Sequence, residues 1–378
     1  MSPRVWLLIP LSAAYAAGAY AAPVLTNLGV LPGYHISRAS GISSDGSVVA
    51  GGCYGFDGHT RAFRWTSSGG MEDLGVLPGA TDSYGNGISG DGSAVVGDSR
   101  VDGQSRAVRW TSSGGMQDLG VLPGGTWSSG RGISGDGSRV AGICITSDGF
   151  ARAFRWTSSG GMEDLGVWPG GYNSSADAIS EDGSIVAGQS GAGVNHTIAF
   201  RWTSDGGMED LGALSGEPFW YSEANAISHD GSVVAGSSYL DNGDNSASAR
   251  AIRWTETGGM QNLGVLPGEV SSIAKTISGD GSLVAGYCAV DDWSVHRPFL
   301  WTSTLGMVDL NAYLVSHGVD LAGWTLTDVL GLSDDGSAMT GCGVLDGQQR
   351  AWVVTGVPEP ATAALFGLAA LYTIRRRR

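Results

Sequence analysis

The sequence predicts an all-β fold, a seven-bladed β-propeller of four-stranded antiparallel blades, closed by an N-terminal strand that completes the last blade. Three observations predict it. A unit of 45 to 55 residues recurs seven times, each unit contains four short strand-like segments, and the N-terminal residues supply a piece that the last unit lacks. Four strands in a unit of this size are typical of one propeller blade.

Recurring phrases establish the repeat. The first is Ser-x-Asp-Gly-Ser, whose aspartates are Asp45, Asp91, Asp136, Asp182, Asp230, Asp280 and Asp335. The second is Arg-Ala-Phe-Arg-Trp-Thr, whose tryptophans are Trp65, Trp110, Trp156, Trp202, Trp254 and Trp301, with a degenerate copy at Trp352. A third phrase, close to Gly-Gly-Met-x-Asp-Leu-Gly, follows each of the first six tryptophans but not the last.

The first unit shows how the strands are predicted. Residues 39–43 and 47–51 flank Asp45-Gly46, a dipeptide that suits the left-handed dihedrals of a two-residue hairpin turn. Residues 61–66 and 71–75 flank a Ser-Gly-rich turn. Pairing Thr66 with Met71 would place each arginine of this segment opposite an aspartate, so we expect structural ion pairs there rather than an anion site.

The two ends of the repeat region are complementary. The third phrase, which continues as x-Leu-Pro-Gly in several units, is missing after Thr355, and a copy of its end, Leu28-Gly29-Val30-Leu31-Pro32-Gly33, stands before the first unit. Pairing of the two ends would close the ring and leave no open sheet edge. A β-solenoid is the alternative fold, but its coils are shorter and it does not require complementary ends.

Composition and charge exclude several classes of protein. The chain has 378 residues, of which 63 are glycine, and 13 Trp, 11 Tyr and 8 Phe can support a core. These aromatics exclude a disordered chain, and the glycines lack the three-residue period of collagen. The net charge of −15 would repel phosphate backbones, so we expect no nucleic-acid partner.

The N-terminus has the pattern of a secretory signal peptide over residues 1–21. Arg4 precedes a short apolar run, and Ala19-Tyr20-Ala21 forms a small-residue cleavage site. A membrane anchor is the alternative, but the apolar run is shorter than a span requires. We therefore expect an exported protein whose repeat domain occupies residues 22–356.

The C-terminal residues 357–378 have three parts in a fixed order. Pro358, Glu359 and Pro360 precede a charge-free apolar run that ends at Ile374, and the basic cluster Arg375, Arg376, Arg377 and Arg378 follows. This order resembles the PEP-CTERM sorting signal of Gram-negative bacteria. The resemblance implies a transmembrane helix that anchors the chain transiently in the inner membrane. It also implies processing by an exosortase-type enzyme during export to the cell surface or extracellular matrix. A plain C-terminal anchor is the alternative.

The three repeated phrases together resemble the HAF family of bacterial extracellular repeat proteins, from about Leu25 to Thr355. The molecular role of that family is poorly defined, so the resemblance implies a location more than a mechanism.

The sequence offers no catalytic, cofactor-binding or metal-binding residues that stand out. The Asp-Gly turns supply one carboxylate each, fewer than a calcium site requires. The residues Cys53, Cys144, Cys288 and Cys342 occupy similar positions in different units and lack the spacing of a zinc site, so we expect unpaired small hydrophobic side chains. The sequence lacks the motifs of nucleophile elbows, P-loops and dinucleotide folds.

The connections that vary between units carry aromatic residues, and loops on a rigid scaffold are where binding usually resides. The candidate ligand-binding residues are Phe219, Trp220, Tyr221, Trp127 and Tyr172. We expect a non-enzymatic surface or matrix protein that binds glycan, exopolysaccharide or protein. The alternative is a propeller hydrolase or lyase acting on extracellular polysaccharide. An enzyme would show convergent carboxylates with perturbed pKa values near the central channel, and a binding protein would not.

Overall fold

The fold was established from a computed structural model, which describes residues 22–193, 196–214, 219–241, 247–290 and 295–358. The predicted signal peptide lies outside the described residues. So do Glu359, Pro360, the apolar run and the terminal arginines of the predicted sorting tail, which leaves Pro358 as the part of that tail within them. Within these ranges, no helix has the length and apolar character that a membrane crossing requires.

The described residues form 28 strands in six sheets, with one short helix. The N-terminal strand is β1, Val24–Gly29. The first three units contain β2 (Tyr34–Ile42), β3 (Val48–Gly55), β4 (Thr60–Thr66) and β5 (Gly70–Asp73); β6 (Ala80–Ile88), β7 (Ala94–Val101), β8 (Gln104–Thr111) and β9 (Gly115–Asp118); and β10 (Trp127–Ile133), β11 (Arg139–Ile145), β12 (Ala151–Thr157) and β13 (Gly161–Asp164).

The next two units contain β14 (Ser174–Ile179), β15 (Ile185–Gly191), β16 (Thr197–Thr203) and β17 (Gly207–Asp210), then β18 (Phe219–Ile227), β19 (Val233–Asp241), β20 (Ala247–Thr255) and β21 (Gly259–Asn262). The last two contain β22 (Ser271–Ile277), β23 (Leu283–Ala289), β24 (His296–Thr302), β25 (Gly306–Asp309) and the helix α1 (Leu310–Ser316), then β26 (Trp324–Leu332), β27 (Met339–Leu345) and β28 (Gln348–Thr355).

The fold is an all-β propeller, but the prediction of seven separate four-stranded blades is wrong. In the described residues five sheets have four strands, and the remaining eight strands, β14 to β21, form one continuous sheet. The join is a parallel pairing of β16 with β18 at Thr197 and Tyr221. The start of β18 therefore lies directly beside the start of the third strand of the preceding unit, and the repeat phrases contain no signal for that contact.

The N-terminal strand closes the ring. β1 pairs antiparallel with β28, from Val24 opposite Thr355 to Gly29 opposite Ala351. Leu28 is buried in the same cluster as Val353, and Leu25 packs against the cluster that contains Trp352. The last sheet is thus assembled from both ends of the chain, as the complementary phrases predict.

A belt of backbone hydrogen bonds links the Asp-Gly hairpins of neighbouring units. It includes Gly135 N to Glu181 O, Glu181 N to His229 O and His229 N to Gly279 O, and Asp334 N donates to Ser44 O across the closure. Within each hairpin the aspartate is held by its flanking serines, as Asp45 accepts from Ser43 Oγ and Ser47 N. The phrase Ser-x-Asp-Gly-Ser is therefore a structural element.

The predicted register of the hairpin between the third and fourth strands is wrong by one residue. Thr66 pairs with Gly70, so Arg64 lies opposite Glu72 and not Asp73. The reason is the turn, in which Gly70 has φ +69 and the Thr66 hydroxyl accepts the Gly69 N–H. Arg64 also donates from Nε to Gly92 O of the next Asp-Gly hairpin, so the arginine links neighbouring units.

Candidate active site

The innermost strands of all the units surround a central channel with a cavity of about 620 Å³. The strands that line it are β2, β6, β10, β14, β18, β22 and β26. Each of these strands carries a β-bulge in its second half, where its pairing with the second strand shifts by one residue. Bulges redirect a side chain and are common beside functional sites.

The bulged residues form a ring around the channel. They are Ser40, Asn86, Arg131, Asp177, Asn225, Lys275 and Leu330, and all of them line the cavity. A glycine on the facing strand makes room for the bend. At Gly188, for example, a Cβ would lie 1.9 Å from the Ser175 carbonyl oxygen. The glycine of the repeated Val-Ala-Gly phrase therefore marks the position of the bulge in the sequence.

Arg131 and Asp177 form an ion pair across two neighbouring units of this ring. Arg131 Nη1 also donates to Ser175 Oγ at 2.8 Å, and the Asp177 side chain is 16% exposed. Burial raises the pKa of Asp177 above its usual value, and the nearby Glu223 charge raises it further while Arg131 opposes the shift. Asp177 is therefore a carboxylate of increased basicity on the channel wall.

Lys275, the single lysine of the chain, belongs to the same ring. Its charge lowers the pKa of Asp177, yet its ammonium makes no ion pair within 4 Å of a carboxylate in the described ranges. In a protein with a net charge of −15, Lys275 and Arg131 place two cations in a lining that also holds the carboxylates of Asp98 and Asp177.

Glu223 lies two residues before the ring residue Asn225 on β18. Hydrogen-bond donors surround its carboxylate. Its Oε1 accepts from Tyr239 Oη at 3.0 Å, from Ser237 Oγ at 3.1 Å and from Asn225 Nδ2 at 3.2 Å. Tyr221 Oη lies 3.4 Å from its Oε2 and also contacts the Gln189 side chain. Burial raises the pKa of both tyrosines, and the Glu223 charge raises it further, so both hydroxyls stay protonated.

A histidine pairs with a carboxylate between two neighbouring units. His296 Nδ1 is 2.9 Å from Asp328 Oδ1, and its ring stacks on Tyr287 with centroids 4.1 Å apart. Asp328 is buried on the innermost strand β26, at the position equivalent to Glu223. Burial raises the pKa of Tyr287 to about 12. The pair therefore holds an imidazole in a fixed orientation among tyrosines.

The hairpin end of the channel carries a different cluster. His229 Nε2 lies 2.8 Å from Asp334 Oδ1 and 3.7 Å from Glu181 Oε2. Glycines make room for these side chains, since a Cβ at Gly135 would overlap the Glu181 carboxyl and one at Gly279 would touch the His229 ring. The ionisable side chains at the hairpin end of the channel therefore differ from those around Glu223.

Two of the five predicted ligand-binding residues come together. Tyr172, 59% exposed, and the half-buried Tyr221 line one groove of about 320 Å³ beside the join of β16 and β18. Trp127 begins β10 and does not line this groove. Phe219 and Trp220 belong to strand β18 rather than to a loop, and their side chains lie outside the described residues.

Sequence reasoning missed the channel residues. They lie two positions before the isoleucine or leucine that precedes each Ser-x-Asp-Gly-Ser phrase. The signal was available as a position that varies between units within a phrase that otherwise repeats. Residues that a repeat does not need for folding are free to form a site, and here they include Arg131, Asp177 and Lys275.

The comparisons with solved structures bear on this channel. An oligogalacturonate lyase from Vibrio parahaemolyticus is similar with a TM-score of 0.60 and 15% identity, over 89% of this chain and 94% of that one. An oligogalacturonate lyase in complex with manganese has a TM-score of 0.58 and 16% identity, over 89% and 93%. A Kuenenia stuttgartiensis hydrazine synthase has a TM-score of 0.50 and 14% identity, over 89% and 98%. At these identities the likeness shows the fold. No family model and no curated protein matches the chain.

The prediction of a non-enzymatic protein is contradicted by the comparisons, because two of the similar structures are oligogalacturonate lyases. The channel lining includes Asp177, and Glu223 lies close enough to raise the pKa of that carboxyl. The pKa of Asp177 is perturbed, as expected for a reacting group.

The channel residues do not match a manganese site. In the part of the chain that the structure describes, no three His, Cys, Asp or Glu side chains converge as a metal site requires. The channel carboxylates are also already engaged, Asp177 by Arg131 and Glu223 by Tyr239 and Ser237.

Proposed function

We propose that the protein is a lyase that cleaves uronate-containing polysaccharide by β-elimination in the central channel. The observation that carries the proposal is the ring of bulged residues, which places the cations Arg131 and Lys275 beside the basic carboxylate of Asp177. The substrate class also draws on the similar oligogalacturonate lyases. A uronate supplies a carboxylate that the unpaired ammonium of Lys275 can bind.

The reaction needs three kinds of group. The sugar carboxylate must be neutralised, because the negative charge that develops when C5 loses its proton spreads onto it. A base must take the C5 proton, and an acid must protonate the leaving glycosidic oxygen. Preorganised cations aimed at developing charge are usually the largest contribution to catalysis of this type.

Lys275 and Arg131 are assigned to the sugar carboxylate. The Lys275 ammonium lies in the channel without an ion pair to a described carboxylate, so it can bind an anion without first losing a partner. Arg131 is held by Asp177 and Ser175, which fixes its guanidinium on the wall. A fixed cation loses little freedom when substrate binds.

Asp177 is assigned as the base. Its raised pKa makes it a better proton acceptor than a solvent-exposed aspartate, because basicity increases with pKa. In the step, the C5–H electron pair forms the C4=C5 double bond, the C4–O4 bond breaks, and the proton goes to the Asp177 carboxylate. No water is consumed.

Tyr221 or Tyr239 is assigned as the acid. Both are protonated because burial and Glu223 raise their pKa values, and both hydroxyls are positioned by the same carboxylate. The leaving O4 takes the hydroxyl proton, and the phenolate is reprotonated afterwards from solvent. Glu223 acts as a positioning residue in this assignment.

The test is an activity assay on an acidic and a neutral polysaccharide. With polygalacturonate, we expect reducing ends to appear together with the ultraviolet absorbance of an unsaturated uronate. A neutral glucan should remain intact. Reducing ends without the absorbance would indicate hydrolysis, for which Asp177 and Glu223 would be the carboxylate pair. Cleavage of the glucan alone would contradict the proposal.

We also propose that the enzyme is exported, and processed in transit by an exosortase-type enzyme. The N-terminal pattern of residues 1–21 and the order of Pro358, the apolar run and the terminal arginines support this proposal. An extracellular location would bring the enzyme to its polysaccharide substrate.

A further inference from the structure

We infer that the groove lined by Tyr172 and Tyr221 is an outer saccharide subsite, which holds sugar units of the same chain whose reacting uronate occupies the channel. This inference rests on the proposed function and extends it to chain length. It predicts an enzyme that prefers longer oligosaccharides.

The groove and the channel share a wall. Ser175, Gln189 and Tyr221 line the groove of about 320 Å³. Ser175 accepts a hydrogen bond from the ring residue Arg131, and Tyr221 Oη lies between Gln189 and Glu223. A chain that leaves the channel at this point meets the groove next.

The backbone fixes the position of this wall. Thr197 on β16 pairs with Tyr221 on β18, the contact that joins two units into the eight-stranded sheet. Tyr221 is also held edge-on against Tyr239, with ring centroids 4.7 Å apart. A subsite on paired strands is pre-formed and loses little conformational freedom on binding.

The outer end of the groove offers an apolar platform. The exposed Tyr172 ring stacks on Phe150, with centroids 5.5 Å apart and planes 24° apart. Stacked and exposed aromatic rings are suited to the flat apolar face of a sugar. Asn173 accepts the Ala151 N–H through Oδ1, which leaves its amide nitrogen oriented away from that bond and available to a hydroxyl.

A second exposed aromatic stack provides a control. In the first unit the rings of His35 and Phe56 stack with centroids 3.8 Å apart, and Phe56 is 87% exposed. That pair lines neither the channel nor the groove. Removing a ring there changes exposed aromatic surface to a similar degree without touching the proposed subsite.

The experiment measures binding and cleavage of digalacturonate and tetragalacturonate by the wild-type protein and by the Tyr172→Ala and Phe56→Ala variants. Binding is measured by calorimetry in an Asp177→Asn background, so that no substrate is consumed. We expect Tyr172→Ala to weaken tetramer binding about tenfold, to leave dimer binding within about twofold, and to keep the wild-type melting temperature. Phe56→Ala should change neither affinity.

The outcomes separate the two proposals. Equal loss of affinity for dimer and tetramer, or no loss for either, would overturn the subsite while cleavage by the wild-type protein upheld the lyase. Tetramer binding that depends on Tyr172 without any cleavage would uphold the subsite and overturn the lyase. Absence of binding of both oligomers to any form would overturn both.

Discussion

Arg131 and Asp177 form an ion pair between neighbouring units on the wall of the central channel, each at the β-bulge of its strand. Neither residue is needed by the repeat, since the equivalent positions elsewhere hold residues as different as Ser40 and Leu330. A buried ion pair usually contributes little net stability. Its position therefore fits a role in chemistry better than a role in folding.

The first prediction concerns the proposed base. Asp177→Asn keeps the side-chain shape and removes the proton acceptor, so cleavage of polygalacturonate should fall by at least about 10²-fold. The control is Glu163→Gln, which breaks the exposed 2.9 Å pair with Arg155 on an outer strand and should leave the rate unchanged. Both rates are read from the absorbance of the unsaturated product. Equal losses in the two variants would contradict the assignment.

The second prediction concerns substrate charge. Lys275→Met removes the unpaired channel cation and should weaken binding of galacturonate oligomers at least tenfold, about 1.4 kcal/mol. Lys275→Arg should restore most of the affinity, and added salt should weaken binding to the wild-type protein. Calorimetric titration checks all three. Unchanged affinity in Lys275→Met would exclude this lysine from the site.

The third prediction concerns closure. A chain that begins at Tyr34 lacks β1 and should leave β28 with an open edge, which favours aggregation. It should also lose the buried contacts of Leu28 and Leu31. Its melting temperature is compared with that of a chain that begins at Ala22. Equal melting temperatures would show that β1 does not hold the ring together.

The fourth prediction concerns acid stability. The pKa of the aspartate in each of the seven Ser-x-Asp-Gly-Ser hairpins is lowered, to about 2 at Asp136, where the Ser138 N–H contributes most. A pKa that is lower in the folded state gives stability that is present above the unfolded pKa of about 3.8 and is lost as the pH falls through the folded pKa. Melting temperature should therefore drop steeply between about pH 4 and pH 2.

A variant pair tests the cause of that acid dependence. Asp136→Asn removes one of the titrating hairpin carboxylates and should make the curve measurably flatter. Asp205→Asn, in an exposed turn where Oδ1 contacts only the Ser204 hydroxyl at 3.4 Å, is the control and should keep the wild-type slope. A wild-type slope in both variants would mean that other groups control acid unfolding.

The fifth prediction concerns sorting. Replacing Pro358, Glu359 and Pro360 by alanine should block processing of the tail, so that the chain stays in the inner membrane. Cell fractionation and the mass of the mature protein check this. Unchanged mass and location would exclude the PEP-CTERM signal.

The sequence predicts the scaffold better than the site, for a physical reason. Folding constrains every unit in the same way, so the Asp-Gly turns and the buried residues at positions equivalent to Phe63 repeat and can be recognised. The complementary ends can be recognised because they complete one of these repeats. The burial of the four cysteines is confirmed for the same reason, since three of them share one packing position. Repetition does not mark a place where one unit must differ from the others.

The errors follow the same logic. The register of the hairpin between the third and fourth strands depends on whether Gly70 adopts a left-handed conformation, which the repeated phrase alone leaves open. The join of β16 and β18 depends on a single backbone pairing, Thr197 with Tyr221. The channel residues required the bulge, whose only sequence trace is a glycine on the neighbouring strand. Tyr172 and Tyr221 were found because aromatic residues stand out in any variable segment.

The most direct test of the central claim is the mass of the products formed from a defined oligogalacturonate. β-Elimination divides the substrate without adding an atom, so the product masses should sum to the mass of the substrate. Hydrolysis adds one water for each bond cleaved. The proposed chemistry at Asp177 predicts product masses without added water, with their formation abolished in Asp177→Asn. Products that carry an added water, or no products at all, would contradict it.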